Sequence, residues 1–227
     1  MKVRNKMDQP QSDTELKTDR SRLRRAHEKG AYDRDSLNAV LDAMPMCHIG
    51  YQIGGKPSVL PTLQWREGNH VYWHGSSASR ALRAMVGADV CVTVTMLDGY
   101  VLARSAFHHS VNHRSAMIFG RPEKVTDTAA KEKHLKTMVD QVFPGRWEDL
   151  RPMTSQEVKA TSVLRMPITE GAAKIRSGPP VDDDEDYELP IWAGVVPMSL
   201  QLHAPEPDPA NQQGLVMPDH LSRIRIG

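Results

Sequence analysis

The sequence predicts a mainly β protein, a small antiparallel barrel with a few short helices, and three observations predict it. Short apolar runs alternate with turn residues from Met46 onward. Two of the breaks, Gly54-Gly55 and Glu67-Gly68-Asn69, are hairpin signals. Helical spacing is confined to a few brief stretches. Antiparallel strands of this kind leave sticky edges, and closure into a barrel removes them. A chain of 227 residues is long enough to bury one substantial core.

The elements follow in order. MKVRNKMDQPQSDTELKTDR is polar and without periodicity, and with the basic cluster Arg20, Arg22, Arg24 and Arg25 it reads as a flexible, solvated arm over residues 1–25. Asp33 or Asp35 caps a helix in which Leu37, Val40, Leu41 and Met44 recur at helical spacing until Pro45 stops it. MCHIGYQI, KPSVLPTLQW and HVYWHG then form a three-stranded meander. Ser77 or Ser79 opens a short helix through Val86, ended by Gly87. Val90, Val92, Val94 and Met96 alternate with Cys91, Thr93, Thr95 and Leu97, and Asp98-Gly99 predicts a hairpin turn. A strand at 113–120, a helix marked by Leu135, Met138, Val139 and Val142, and a late strand at 163–168 complete the series. Beyond Ser177, GPPVDDDEDYELP reads as solvated linker and LPIWAGVVPM as an apolar island that docks. The domain map is therefore a barrel at 26–177, a linker and docking segment at 178–200, and a flexible tail at 201–227.

Composition narrows the partners. The 29 basic and 28 acidic residues nearly cancel, which gives no reason to expect nucleic acid or a membrane surface. Cys47 and Cys91 sit in strand-like runs with no secretory leader ahead of them, so the expectation is a cytoplasmic protein with buried, inert thiols. No apolar run approaches the ~20 residues of a membrane helix.

One segment concentrates chemistry. VYWHGSSASRALRAM, residues 71–85, runs from a strand through a Gly/Ser turn into a helix start. Free backbone N–H groups, serine and histidine donors and Arg80 converge there, as a phosphate monoester requires. Spacing alone serves this reading and an ordinary capped helix about equally. His108, His109 and His113 form an HHxxxH pattern, but strand spacing sets 109 and 113 on one face and 108 on the other, and no cysteine or spaced carboxylate completes a metal set. His48 reads as a core or site-edge histidine rather than a metal ligand. The acidic run at 182–186 lacks the spaced ligands of a calcium loop. There is no GxSxG elbow, CxxC pair, or Walker or Rossmann glycine pattern.

Taken together, PSVLPT, VYWHGSSASRALRAM, VCVTVT, FHHSVNHRSAMIFGRPEKVTD and ELPIWAGVVP resemble one branch of the pyridoxamine-phosphate-oxidase superfamily. It is the branch of nitroimidazole-resistance reductases and related flavin-nucleotide-binding proteins, and the match spans residues 26–197. The resemblance implies an FMN-binding split β-barrel that pairs as a homodimer with flavin at the interface. It implies an FMN phosphate held around His74, Gly75, Ser76, Ser79 and Arg80. The family's tyrosine-threonine pair is Trp73-His74 here, and its serine-arginine-lysine triplet is Ser79-Arg80-Ala81, so the lysine is missing. Pro57 and Thr62 stand where pyridoxamine-phosphate oxidases carry an arginine and a lysine. That argues against pyridoxamine phosphate as substrate, while Thr62 can still hydrogen-bond the flavin ring. Arg114 and Ser115 fall where the superfamily sets an arginine and a glutamine beside the flavin of the dimer, and Trp192 resembles a pocket-closing aromatic residue. The implied activity is an oxidoreductase passing electrons from NAD(P)H through FMN to a small acceptor such as a nitroaromatic, with His74 as candidate catalytic residue. The alternatives are a non-catalytic flavin or haem binder or sensor, and a split-barrel reductase that uses a deazaflavin.

Overall fold

The computed structural model describes residues 15–25 and 27–227. The chain runs through β1 (Gly30–Ala31), α1 (Arg34–Ala43), β2 (Met46–Ile53), β3 (Lys56–Glu67), β4 (His70–Ser76), α2 (Arg80–Met85) and β5 (Val90–Leu102). It continues through β6 (Ser110–Gly120), β7 (Glu123–Lys124), α3 (Thr128–Val142), α4 (Ser155–Ala160), β8 (Thr161–Pro167), β9 (Gly171–Arg176) and β10 (Gly194–Pro197). The strands form an antiparallel, unclosed sheet in the order β1-β9-β6-β5-β2-β3-β4-β8-β7, with β10 added to β5. This is a split barrel, as expected.

Local chemistry sets the boundaries. Asp33 caps α1 by accepting from the Ser36 N–H at 2.8 Å. Gly54 and Gly55, at φ of 58° and 75°, turn β2 into β3, a backbone region that β-branched residues avoid. The main core lies inside the curl of the sheet, where α1 contributes Leu37, Val40 and Leu41 and β5 contributes Val90, Val92, Val94 and Met96. A second cluster, with Trp65, Tyr72 and Val163 from the sheet and Leu135 from α3, covers the opposite face of β3, β4 and β8. The middle of β4, Val71, Tyr72 and Trp73, is buried on both faces.

The strand β3 changes partners halfway. From Lys56 to Leu63 it pairs with β2, and from Gln64 to Glu67 it pairs with β4. The β4-side edge of the first half therefore has no ladder partner among the described residues. Gln64, at the changeover, is buried and donates through Nε2 to the carbonyls of Leu41 (2.7 Å) and Met44 (2.8 Å), while its N–H donates to Pro45 O at 2.7 Å. These carbonyls belong to the C-terminal end of α1 and have no acceptor role within the helix.

Several expectations need correction. Residues 1–14 of the expected arm lie outside the described residues, but residues 15–25 are docked. Leu16 is buried and exchanges backbone hydrogen bonds with Tyr32 and Gly171, and Arg20 ion-pairs with Glu170. One buried leucine and a few ion pairs are too little signal to show as periodicity. Asp98-Gly99 is no hairpin: β5 runs on to Leu102 through a bulge there. A Cβ on Gly99 would stand 2.8 Å from the Val196 carbonyl oxygen, so the glycine serves the close approach of β10. Asp182 is not solvated. Its side chain is fully shielded and accepts from the Arg104 N–H at 2.9 Å and guanidinium at 3.0 Å. Burial pushes its carboxyl up, but these hydrogen bonds and the charge of Arg104 outweigh it and hold the group below its usual range. The tail is tethered, since Gly227 N–H donates to Ala43 O at 2.9 Å. Cys47 is buried, with its thiol pushed up to about 12, and Cys91 is half-buried with its thiol raised by desolvation. Among the described residues no helix is long and apolar enough to cross a membrane.

Replacing Gln64 by Leu should leave the Leu41 and Met44 carbonyls without their side-chain donor. The expected loss is ~1–3 kcal/mol of unfolding free energy, read from urea denaturation of the two proteins side by side. A variant as stable as the parent would show that the changeover needs no such tie.

Candidate functional site

The predicted phosphate segment folds into a tight turn between β4 and α2. His74, Gly75 and Ser76 end β4 against Val163, Ser162 and Thr161 of β8. Ser77 N–H donates to Ala160 O at 2.7 Å, and Ser79 N–H to Ser76 O at 2.9 Å. Ser76 Oγ accepts from Ala78 N at 3.2 Å and Ser79 Oγ caps α2 by accepting from Leu82 N at 3.3 Å. A hydroxyl that accepts keeps its own O–H to donate. The N–H groups of Arg80 and Ala81, in the first turn of α2, have no acceptor within the helix. Arg80 stands in solvent. A Cβ on Gly75 would press on Leu82 at 3.3 Å, so the turn is packed tightly from below.

His74 occupies the edge of this turn. Its ring lies 6.0 Å from that of Trp65, and its Nδ1 is buried with no hydrogen-bond partner among the described residues. Desolvation lowers its pKa, so the imidazole is neutral at neutral pH. Behind it lies a network that sequence spacing does not reveal. Trp65 Nε1 donates to Glu67 Oε1 at 2.9 Å, His134 Nδ1 sits 2.9 and 3.0 Å from the two Glu67 oxygens, and the Tyr72 ring packs 4.6 Å from that of His134. Glu67 reads as a turn residue in sequence, and its partner is 67 positions away.

The other expected site residues lie apart within one chain. Thr62, half-exposed on β3, faces the same side as Cys47, its partner on β2, whereas His74 faces the side of Trp65 and Tyr72. Arg114 and Ser115 lie on β6, separated from β4 by β5, β2 and β3. The Arg114 guanidinium is held by Asp98 at 2.8–3.2 Å, and Ser115 Oγ donates to Lys174 O at 3.3 Å. Trp192, 70% exposed, precedes β10 and packs on Gly194. His48 is exposed on the outward face of β2 rather than in the core. His108 and His109 are not strand residues: His108 closes a 3-10 turn and lies 3.3 Å from Asp183, and His109 Nδ1 is 2.8 Å from Ser105 O.

Known proteins agree with this architecture. Residues 33–175 match the model of the family described as pyridoxamine 5'-phosphate oxidase. The flavocytochrome Anf3 from Azotobacter vinelandii is 46% identical over 92% of this chain and 98% of its own, at a TM-score of 0.90. A FAD and haem binding protein from Mycobacterium smegmatis is 36% identical over 87% of this chain and 97% of its own, at 0.83. A protein ascribed to 5-nitroimidazole antibiotic resistance in Bacteroides thetaiotaomicron is 20% identical over 63% of this chain and 84% of its own, at 0.52, a likeness of fold alone. No curated protein matches the sequence.

Burial of His74 carries a pH signature. Its folded pKa lies below the ordinary 6.5, so the unfolded chain takes up the proton first and stability falls as pH drops below 6.5. Urea midpoints measured from pH 7.5 to 5 should decline less steeply for His74→Gln than for the parent. Parallel declines would mean that this ring titrates alike in both states.

Proposed function

We infer, from a chain that belongs to the pyridoxamine 5'-phosphate oxidase family, that this protein binds a flavin by its phosphate at the β4–α2 turn and serves as an electron-transferring flavoprotein. The observation that carries the reading is that one turn carries the hydroxyls of Ser76 and Ser79, the helix-start N–H groups of Arg80 and Ala81 and the solvent-exposed Arg80 side chain. A phosphate needs this mixture of neutral donors and one planar cation. The turn adjoins the half of β3 whose β4-side edge has no ladder partner among the described residues, where backbone groups remain to hydrogen-bond a polar ring.

Two relatives above 30% identity are a flavocytochrome and a FAD and haem binding protein, which favours FAD over FMN and haem as a second group. A flavin accepts a hydride's electron pair and releases electrons singly to a partner such as haem, and the protein's part is orientation and electrostatics. Here His74 offers a neutral imidazole whose buried Nδ1 has no partner among the described residues. Its proposed role is to hydrogen-bond flavin or substrate and hold a proton there. NAD(P)H is the proposed electron donor and a small molecule the acceptor. Pro57 and Thr62 carry no charge, so a second phosphate compound has no cation in their place. Because Arg114, Ser115 and Trp192 stand away from this turn in one chain, a flavin role for them belongs to a second copy, and the proposed working form is a homodimer.

Purified protein should carry a flavin spectrum, with a Soret band where haem is incorporated, and the mass of the released chromophore identifies FAD, FMN or a deazaflavin. Arg80→Ala should weaken flavin binding about tenfold to a hundredfold, the effect of losing ~1.5–3 kcal/mol from a charge-assisted hydrogen bond. Protein that is colourless and takes up no added FAD or FMN overturns the reading. Bound flavin that neither NADH nor NADPH reduces under anaerobic conditions leaves a binder and removes the oxidoreductase.

A further inference from the structure

The stretch from Leu16 to Tyr32 folds around the Tyr32 side chain, which is 7% exposed. Leu16 N–H donates to Tyr32 O at 3.1 Å, and Tyr32 Oη accepts from Leu23 N–H at 2.8 Å. Thr18 N–H donates to Ser21 Oγ at 2.8 Å, Ser21 N–H returns a bond to Thr18 Oγ1 at 3.2 Å, and Arg22 N–H donates to Thr18 O at 3.0 Å. Leu23 presses on Gly30, where a Cβ would stand 2.6 Å from its Cδ1. The stretch is therefore held in one shape. It leads into β1, at one end of the strand order, with β9, β6, β5, β2 and β3 between it and β4.

These residues enclose a cavity of about 410 Å³ lined by Lys17, Arg22, Leu23, Arg24, His27 and Tyr32. Three cations and an imidazole share this hollow, and among the described residues no acidic side chain lines it. Neighbouring cations are treated differently: Arg20 ion-pairs with Glu170 and Asp89, and Arg34 with Glu15. Lys17 Nζ instead lies 4.9 Å over the Tyr32 ring. Glu28 stands 3.7 Å from His27 but outside the lining. The whole chain carries 28 acidic residues against 29 basic ones, so the excess of positive charge is a local one. Like charges gathered in one hollow repel, and a cleft lined by one sign of charge concentrates ions of the other.

We propose that this cavity binds a compound carrying two phosphates in a row, free or on a nucleoside, at a site separate from the β4–α2 turn. A phosphate monoester carries about −1.5 to −2 charges near neutral pH, too few for three cations, and a second phosphate supplies the rest. Arg22 and Arg24 can each grip two phosphate oxygens, and Lys17 acts as a point charge. Tyr32 Oη accepts from the Leu23 N–H and keeps its own O–H to donate to a phosphate oxygen. Nucleic acid spaces one charge per phosphate along an extended backbone, a pattern that suits a basic stripe rather than one hollow.

Isothermal titration calorimetry of pyrophosphate into the full chain tests it, at physiological ionic strength (about 0.15 M) and with FAD at saturation. One pyrophosphate should bind per chain, at least tenfold more tightly than orthophosphate or sulfate. The double variant Arg22→Gln, Arg24→Gln should weaken binding at least tenfold. Both side chains are exposed, so this variant should keep the parent's circular dichroism and thermal midpoint. Lys17→Gln, with one charge fewer, should weaken binding severalfold. ADP in place of pyrophosphate separates the two sources, since tighter binding identifies a nucleotide and weaker binding the free anion. The site is overturned by no uptake, by uptake that the folded variants retain, or by uptake that FAD abolishes. Equal uptake of pyrophosphate and sulfate means an adventitious ion only and overturns it as well.

Discussion

The change of partner in β3 is the constraint on which the rest of the molecule depends. A strand held on both edges along its whole length would make an unbroken sheet with no opening. Here β3 leaves β2 and joins β4 at Gln64, and the sheet splits at that point. The amide of Gln64 makes this tolerable by satisfying two carbonyls at the end of α1 that would otherwise be buried without donors. Its own Oε1 is buried without a partner among the described residues, so the contacts described at the junction come from its donor side.

The opening is useful because its walls are stiff. Trp65 and Tyr72 stack at 5.5 Å, Glu67 joins Trp65 to His134, and α3 closes over them. Aromatic pairs and a hydrogen-bonded carboxylate fix orientation more than they add net stability. They hold the end of β4 in one place, and with it His74 and the serine turn. Desolvation then sets the charge of His74 without any neighbouring ion.

The segments after β9 are tied on by a few polar contacts rather than by a core of their own. Arg104 and Asp182 hold the first of them, and the guanidinium also lies 4.7 Å over the Tyr187 ring. Gly99 lets β10 approach β5 closely enough to pair. Such ties position a segment while leaving its apolar side chains free, which is why Trp192 and the tail beyond it stand exposed.

Local signals account for the Asp33 cap, the Gly54-Gly55 turn, the alternation of β5 and the Ser79-capped turn after β4, since each depends on neighbours within a few residues. The antiparallel split barrel was legible from these signals together with the family resemblance. Tertiary structure decided what contacts over long separations decide. It carried β5 past Asp98-Gly99, because β10 supplies the pairing that a turn would have ended, and it buried Asp182 in an acidic run, because Arg104 is 78 positions away. It docked residues 15–25 through one buried leucine and ion pairs of Glu15 and Arg20 with distant residues, too sparse a signal for periodicity. It also parted Arg114, Ser115 and Trp192 from the β4 turn, since strand order in a sheet follows pairing and not sequence.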